Sequence, residues 1–326
     1  MNYFAKVRSK YILKQILTNL QQKTLLNIIR YNKNLQNKLD IEIKDFKNIS
    51  FITEIELFLE ENKLGNFINI RKCQEKYFKI YFNEDKEPIN RTKIYRRDKG
   101  KIKKVRIIID YDKSISFTRL FRDCKCIKKI NFKKFNRNDI IGMSQMFSGC
   151  YHLQEINMSK FNTDSVTNMN HMFYFCKSLK GINFPKIDTK KVKDMGYMFD
   201  GCISLQKLDL SILNTSNATD MDSMFNGCAS LEDLNLSNFN TNKVKNMNYM
   251  FHQCKCLKEL NLSNFNIDKV ENMFGMFFGC SSLKKLDISN FNFKKMKDIG
   301  RIFDFCSIEN LICPDDFKLK VKKLIN

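Results

Sequence analysis

Cysteine is the residue type whose spacing in this chain most plainly invites a chemical reading. Cys124, Cys150, Cys176, Cys202, Cys228, Cys254, Cys280 and Cys306 follow one another at intervals of 26 residues, out of twelve cysteines in all. A zinc array needs thiolates in CxxC pairs or cysteine with histidine at ligand spacing. The close pairs here are Cys124 with Cys126 and Cys254 with Cys256, and histidine occurs only at His152, His171 and His252. A disulfide ladder needs consecutive Cα atoms within about 7 Å, closer than the helical side of a coil would bring them. The spacing favours a small buried apolar side chain at a tight helix–sheet contact. Three histidines in no repeated context offer no general base, and no Gly-rich phosphate loop, nucleophile elbow, HExxH or kinase signature occurs. Asp315 and Asp316, after Pro314 and before FKLKVKKLIN, read as the start of an amphipathic terminal helix. The expectation is a chain without catalytic, cofactor-binding or metal-binding residues.

The elements that carry these cysteines share the same period. Met-Phe dipeptides stand at Met146, Met172, Met198, Met224, Met250 and Met276, with Leu120-Phe121 before them and Ile302-Phe303 after, every step 26 residues. A fixed period of this size marks a solenoid. Within one unit, Leu234 and Leu236 alternate with Asn235, the period-two mark of a strand. Val244, Met247, Phe251, Cys254 and Leu257 recur at steps of three and four, which predicts a short helix buried on one face. Strands sit about 4.8 Å apart and packed helices about 8–10 Å, so such a coil should bend toward its strands. The Met rows fall on the inward face of that helix and read as core filling.

The pattern LxxLxLSxFNT followed by VxxMxxMFxxCxxL, as in Leu231 to Leu257, resembles the BspA-like leucine-rich repeat family over about residues 118–313. It departs from the commoner leucine-rich pattern at the ninth position, where Phe161, Ile187, Leu213, Phe239, Phe265 and Phe291 replace Asn; an Asn or Asp follows one place later in most units. The resemblance implies protein binding, adhesion in bacterial members, and no enzymatic activity. The expected fold is an α/β solenoid: a right-handed leucine-rich-repeat-type coil with a concave parallel sheet and convex short helices, preceded by a helical cap and a short β lead-in. The expected organisation is a helical region over 1–70, a β-hairpin-like lead-in with a basic loop over 71–117, eight units over 118–313 and a capping helix over 314–326.

Two polar rows on the expected concave face are the candidate binding surface. One is Asn131, Asn157, Asn183, Asp209, Asn235, Asn261 and Asp287; the other, two places earlier, is Lys129, Glu155, Gly181, Lys207, Asp233, Glu259 and Lys285. Strand alternation puts both on one face. The Asn/Asp row is either a ladder that steadies the sheet or part of the binding surface. The second row changes charge on a constant frame, as a specificity surface would and as free drift would. Residues expected to contact a partner are Glu155, Asn157, Lys207, Asp209, Asp233, Asn235, Glu259, Asn261, Lys285 and Asp287.

Before the repeats, Ile16 to Gln36 loosely resembles an F-box, at Ile16, Leu17, Leu20, Leu25 and Leu26, without the usual leading Leu-Pro. That resemblance implies a Skp-type adaptor as partner; a helical cap over the first coil is the reading favoured, since solenoids need caps. YFKIYF (Tyr77 to Phe82) and KVRIIIDY (Lys104 to Tyr111) read as strands, the second starting the concave sheet. Between them Arg91 to Arg106 holds nine basic residues and one acid. A solvated turn is favoured there over a phosphate grip. The formal charge of +22 would favour nucleic acid, anionic lipid or acidic protein, but the basic residues are spread along the chain, and nucleic acid is not the expected partner. No secretory signal and no run of ~20 apolar residues is seen, so the expected location is cytoplasmic. The expected function is a non-enzymatic scaffold that holds a protein on its concave face. An F-box-type substrate receptor of a ubiquitin ligase and a surface adhesion protein are the alternatives.

Overall fold

The computed structural model describes residues 52–318 apart from 112–115, 136–138, 160, 162, 183, 185–186, 294–295, 297–298 and 316. Its strands are β1 (Ile52–Leu59), β2 (Gly65–Asn66), β3 (Phe78–Phe82), β4 (Lys93–Ile94), β5 (Lys104–Asp110), β6 (Ile127–Phe135), β7 (Glu155–Asn157), β8 (Lys207–Asp209), β9 (Asp233–Asn235), β10 (Glu259–Asn261), β11 (Lys285–Asp287) and β12 (Asn310–Ile312). Over the described residues the chain is a β-solenoid with very little helix, and the first coil is built into an antiparallel sheet.

That sheet has the order β3-β5-β1-β6-β7. Strand β1 lies between β5 and β6, antiparallel to both, and β6 is parallel to β7. Strand β6 is therefore the seam: it closes the antiparallel module and opens the parallel stack. The strand beside the first coil is β1, not Lys104–Asp110 as its position in sequence suggested. Alternation explains the choice. Ile55 and Leu57 of β1 are buried with Val105, Ile107 and Ile109 of β5, while Glu56 on the opposite face pairs with Lys104 at 2.9 Å and Lys133 at 3.2 Å. The described part of the expected helical region, residues 52–70, thus holds β1, β2 and turns instead of a helix, because Ile52–Leu59 alternates with period two. The predicted helices over residues 9–47 lie outside the described residues.

The Met-Phe side of each coil is not helical. The Phe147 amide donates to Met172 O of the next coil at 2.9 Å rather than four residues back, and the same bond recurs from Phe121 through Phe277. Within a coil, Met146, Ser148 and Cys150 amides close overlapping turns onto the carbonyls three residues earlier, while Gln145, Phe147 and Gly149 amides cross to the next coil. Alternate amides thus serve the turn and the stack. The path needs two left-handed residues per unit, such as Gln145 (φ 57°) and Gly149 (φ 73°), repeated at His171 and Phe175 and at Tyr197 and Gly201. A Cβ on Gly149 would meet a carboxylate oxygen of Asp123 at 2.2 Å. Stacking follows: Phe121, Phe147, Phe173, Phe199, Phe225, Phe251, Phe277 and Phe303 form one column, rings parallel within 11° and centroids 5.4–5.8 Å apart. The rings advance by 5.4–5.8 Å per coil, well short of the roughly 8–10 Å of packed helices, so the large helix-against-strand mismatch expected of a helical back is absent.

Corners and interior are held by repeated polar bonds. The Thr215 hydroxyl accepts from the Asn240 amide at 2.7 Å and donates to the Asn240 carbonyl at 3.0 Å; Thr189 and Thr241 do the same one coil before and after, and all are buried. The cysteine column sits between coils. From Cys150 to Cys306 each thiol donates to the carbonyl of the Phe in the preceding unit, Cys228 to Phe199 at 3.2 Å, while that carbonyl also accepts the Cys202 amide at 3.1 Å; the Cys124 thiol donates instead to Arg122 O. Cysteine here is a small side chain that fills and donates, and the contact is between turns rather than between helix and sheet. At the far end, residues 315, 317 and 318 take helical geometry and Phe317, buried, stacks on Phe293 with centroids 3.6 Å apart; the rest of the predicted capping helix lies outside the described residues.

Candidate functional site

The strand face is built from alternation. Ile156, Leu208, Leu260 and Leu286 are buried beneath it, and their neighbours on each strand point outward. Glu155, Lys207, Asp233, Glu259 and Lys285 are exposed on this face in one row. Register places Lys129 opposite Glu155, Lys207 opposite Asp233 and Glu259 opposite Lys285. Two of these pairs close as ion pairs, Lys129–Glu155 at 2.5 Å and Glu259–Lys285 at 3.4 Å. Directly opposed charges of unlike sign stabilise a sheet by roughly 0.2–1 kcal/mol each, so part of the charge variation along this row answers to the neighbouring coil.

The second row has a local task. The side-chain oxygens of Asn157, Asp209, Asn235, Asn261 and Asp287 accept the amide two residues on, at Ser159, Ser211, Ser237, Ser263 and Ser289, at 2.9–3.1 Å. Each closes an Asx-turn that ends the strand. The turn amide and hydroxyl of Ser211 hold the Asp209 carboxyl below its usual range. Asn183 lies outside the described residues. Where the row of longer side chains is interrupted at Gly181, a shallow depression of about 500 Å³ opens between Lys129, Glu155 and Lys207, floored by Ile156 and Ile182.

A second polar-aromatic surface lies on the Met-Phe edge, where the expected helices would have stood. His171, Tyr174, Tyr197, His252 and Phe278, all half-buried, and Tyr249, exposed, lie along the left-handed turns. His171 stacks on Tyr197 at 4.5 Å and His252 on Phe278 at 5.0 Å. His171 Nδ1 is buried with no hydrogen-bond partner, and burial pulls the imidazole pKa down. Beside them the Asp222 carboxylate accepts the Tyr197 hydroxyl at 2.7 Å, which together with burial pushes the phenol up to about 12. Burial raises the Asp200 carboxyl to about 6 against the opposing Asn226 amide. Among the described residues no three His, Cys, Asp or Glu side chains come together as a metal site. Burial likewise pushes the Cys254 thiol up to about 12 and the Cys228 thiol well above its ordinary value.

The family model described as "Mycoplasma protein of unknown function, DUF285" matches residues 115–234 and 204–312, together more than half of the chain. The chain belongs to this family. A comparison with curated proteins gives no match. Among solved structures, this DUF285 chain is similar to a leucine-rich repeat protein of T. pallidum (22% identity over 64% of this chain and 75% of that one, TM-score 0.32). It is also similar to leucine-rich repeat proteins from Bacteroides ovatus (20%, 72% and 70%, TM-score 0.38) and Leptospira interrogans (13%, 58% and 59%, TM-score 0.26).

In the DUF285 chain the structure brings the predicted strand-face residues together and leaves the predicted adaptor-binding residues, Ile16, Leu17, Leu20, Leu25 and Leu26, outside the described residues. The basic run Arg91–Arg106 is ordered by aromatic and acidic partners. Arg91 binds Asp98 through two hydrogen bonds, at 2.6 and 3.0 Å, and lies over the Phe82 ring at 4.6 Å, while Arg106 lies over Tyr81 at 4.4 Å. Hydrophobic spacing alone puts the residues of the Met-Phe edge on a helix and so does not mark it as a surface. The signal that could have found it is glycine at Gly149, Gly201, Gly227 and Gly279, one position of the repeat inside the supposed helix, where each would cost about 1 kcal/mol against alanine. No helix among the described residues is long and apolar enough to cross a membrane.

Proposed function

We propose that the chain is a non-enzymatic scaffold whose strand face holds a partner protein. The observation that carries this reading is the exposed row from Lys129 to Lys285, whose side chains change from coil to coil on a frame whose buried contacts repeat. The BspA-like resemblance of the repeat, with the protein binding it implies, supports the same reading. Asp233 and Glu259 occupy equivalent positions in consecutive coils and make the acidic centre of the row, between Lys207 and Lys285. The partner is expected to present basic groups there. Affinity capture from the native cell with the full chain, followed by quantitative recovery with Asp233→Asn/Glu259→Gln, tests it. The expected result is loss of the captured protein at unchanged melting temperature. Undiminished recovery would overturn the assignment of the strand face.

A further inference from the structure

A cleft of about 570 Å³ lies where the antiparallel module meets the first coil, away from the strand face. It is lined by Leu64, Asn66, Asn69, Lys93, Arg119, Arg122, Asp123 and Lys125. Three cationic side chains from one turn of the first coil, Arg119, Arg122 and Lys125, and a fourth from the antiparallel module, Lys93, thus line the cleft with one carboxylate. This contrasts with the strand face, where lysines and acids alternate and pair.

The cations are held in place by the fold. Arg119 Nε and Arg122 Nη1 both donate to Gln145 Oε1 at 2.9 Å, which sets the two guanidiniums side by side across the first two coils. Arg122 also reaches Asp123 at 3.3 Å. The opposite wall is fastened to the same turn: the Asn69 side-chain amide donates to Arg119 O at 3.1 Å and to Arg122 O at 2.7 Å, and its backbone amide donates to Leu120 O at 2.8 Å. Lys93 comes from β4, which pairs with β2 on that wall. Lys125 lies over the Tyr151 ring at 4.8 Å. Two like-charged guanidiniums kept adjacent repel one another, and the single Asp123 carboxylate at 3.3 Å from Arg122 offsets one charge of the four.

We propose that this cleft is a binding site for the diphosphate moiety of a small ligand. Its volume falls within the ~300–1,000 Å³ of small-molecule sites. The excess of three positive charges over the Asp123 carboxylate matches the roughly three negative charges of two linked phosphoryl groups near neutral pH. Guanidiniums bind such oxygens through paired N–H donors, and lysines add mobile point charges. The diphosphate group is shared by inorganic pyrophosphate and by nucleoside diphosphates, so the test carries an arm for each.

Isothermal titration of the full chain with pyrophosphate, ADP, inorganic sulfate and a single-stranded RNA oligonucleotide in ~0.1 M salt is the experiment, repeated on Arg119→Gln/Arg122→Gln and on the control Lys243→Gln/Lys269→Gln, whose lysines are exposed on distant coils. The expected result is one saturable site for pyrophosphate, weaker binding of sulfate, and a loss of about tenfold or more in the arginine variant only, since each charged hydrogen bond lost is worth that much. Tighter binding of ADP assigns a nucleoside diphosphate; equal binding assigns the bare diphosphate. A circular dichroism melt matching wild type shows that the arginine variant is folded; should it melt early, Lys93→Gln/Lys125→Gln serves in its place. No saturable binding, equal loss in the control variant, or a single-stranded RNA oligonucleotide bound far more tightly than either diphosphate would overturn the proposal.

Discussion

Replacing Thr215 by valine tests whether the buried hydroxyl ladder holds the coils together. The hydroxyl bridges both backbone groups of Asn240 in the next coil, accepting at 2.7 Å and donating at 3.0 Å, and Thr215 itself is buried. Valine keeps the volume and removes both bonds. At a net 0.5–1.5 kcal/mol each, the loss comes to about 1–3 kcal/mol. Serine keeps both bonds and gives up one buried methyl, about 0.8 kcal/mol. The natural assay is urea denaturation followed by far-ultraviolet dichroism, since the chain has no tryptophan, together with hydrogen exchange at the Asn240 amide. That amide is expected to lose protection in Thr215→Val and to keep it in Thr215→Ser. Valine as stable as wild type, with Asn240 still protected, would refute the ladder as a source of stability and leave only its volume to account for Thr at this position.

Further consequences follow from the buried columns and the shifted acids. Phe225→Ala, in the middle of the ring stack, should cost about 3–5 kcal/mol, read as a lowered urea midpoint. Asp200, raised by burial to about 6, binds its proton more tightly folded than unfolded, so its contribution to stability is present at low pH and is lost as pH rises from about 4 through 6. Asp200→Asn should therefore raise the melting temperature at pH 7 and leave it unchanged near pH 4. Asp98 shifts the other way, its carboxyl held down by the Arg91 hydrogen bonds; its contribution is present above the ordinary aspartate range and lost as pH falls below it, and Arg91→Met should flatten that limb of the acid melt. In a thiol-labelling time course Cys73, the exposed cysteine, should react in the native chain, while the buried column from Cys124 to Cys280 reacts only on unfolding.

What the sequence made legible was set by period and alternation. Twenty-six-residue spacing of Met-Phe and Cys is a property of the chain before it folds, and Leu234-Asn235-Leu236 can alternate only as a strand. Val244, Met247, Phe251 and Cys254 step by three and four, which predicts a helix that the structure lacks, because two different backbones satisfy that step: an α-helix, and a run of overlapping three-residue turns with left-handed residues between them. Hydrophobic spacing cannot separate them; the hydrogen bonds can, since Phe251 donates to Met276 of the next coil. A helix in that place would turn the Met-Phe edge into a plain helical back and force the coil to bend. The rows of Asn and Asp could be located in sequence, yet their task could not, since Asn235 closing a turn onto Ser237 and Asn235 awaiting a partner look identical in one dimension. The basic cleft was illegible for another reason: Lys93 and Arg119 are joined only by how β4 folds back on β2.

The in-register charges decide how the strand face has to be probed. Reversing Glu259 alone sets a lysine against Lys285, and reversing Asp233 alone sets one against Lys207; like charges directly opposed destabilise a sheet, so lost binding would be confounded with a weakened coil. Exchanging the pair, Glu259→Lys with Lys285→Glu, keeps an opposite-charge contact between β10 and β11 while inverting the pattern presented to solvent. Both side chains are more than half exposed, and the net worth of such a pair is about 0–1 kcal/mol, so the exchanged protein should melt within a degree or two of wild type. If the row recognises a partner through its charges, the exchange abolishes capture while each single reversal lowers both capture and stability. If the row serves only the neighbouring coil, the exchange is silent in both measurements, and the binding surface has to be sought at the Met-Phe edge instead.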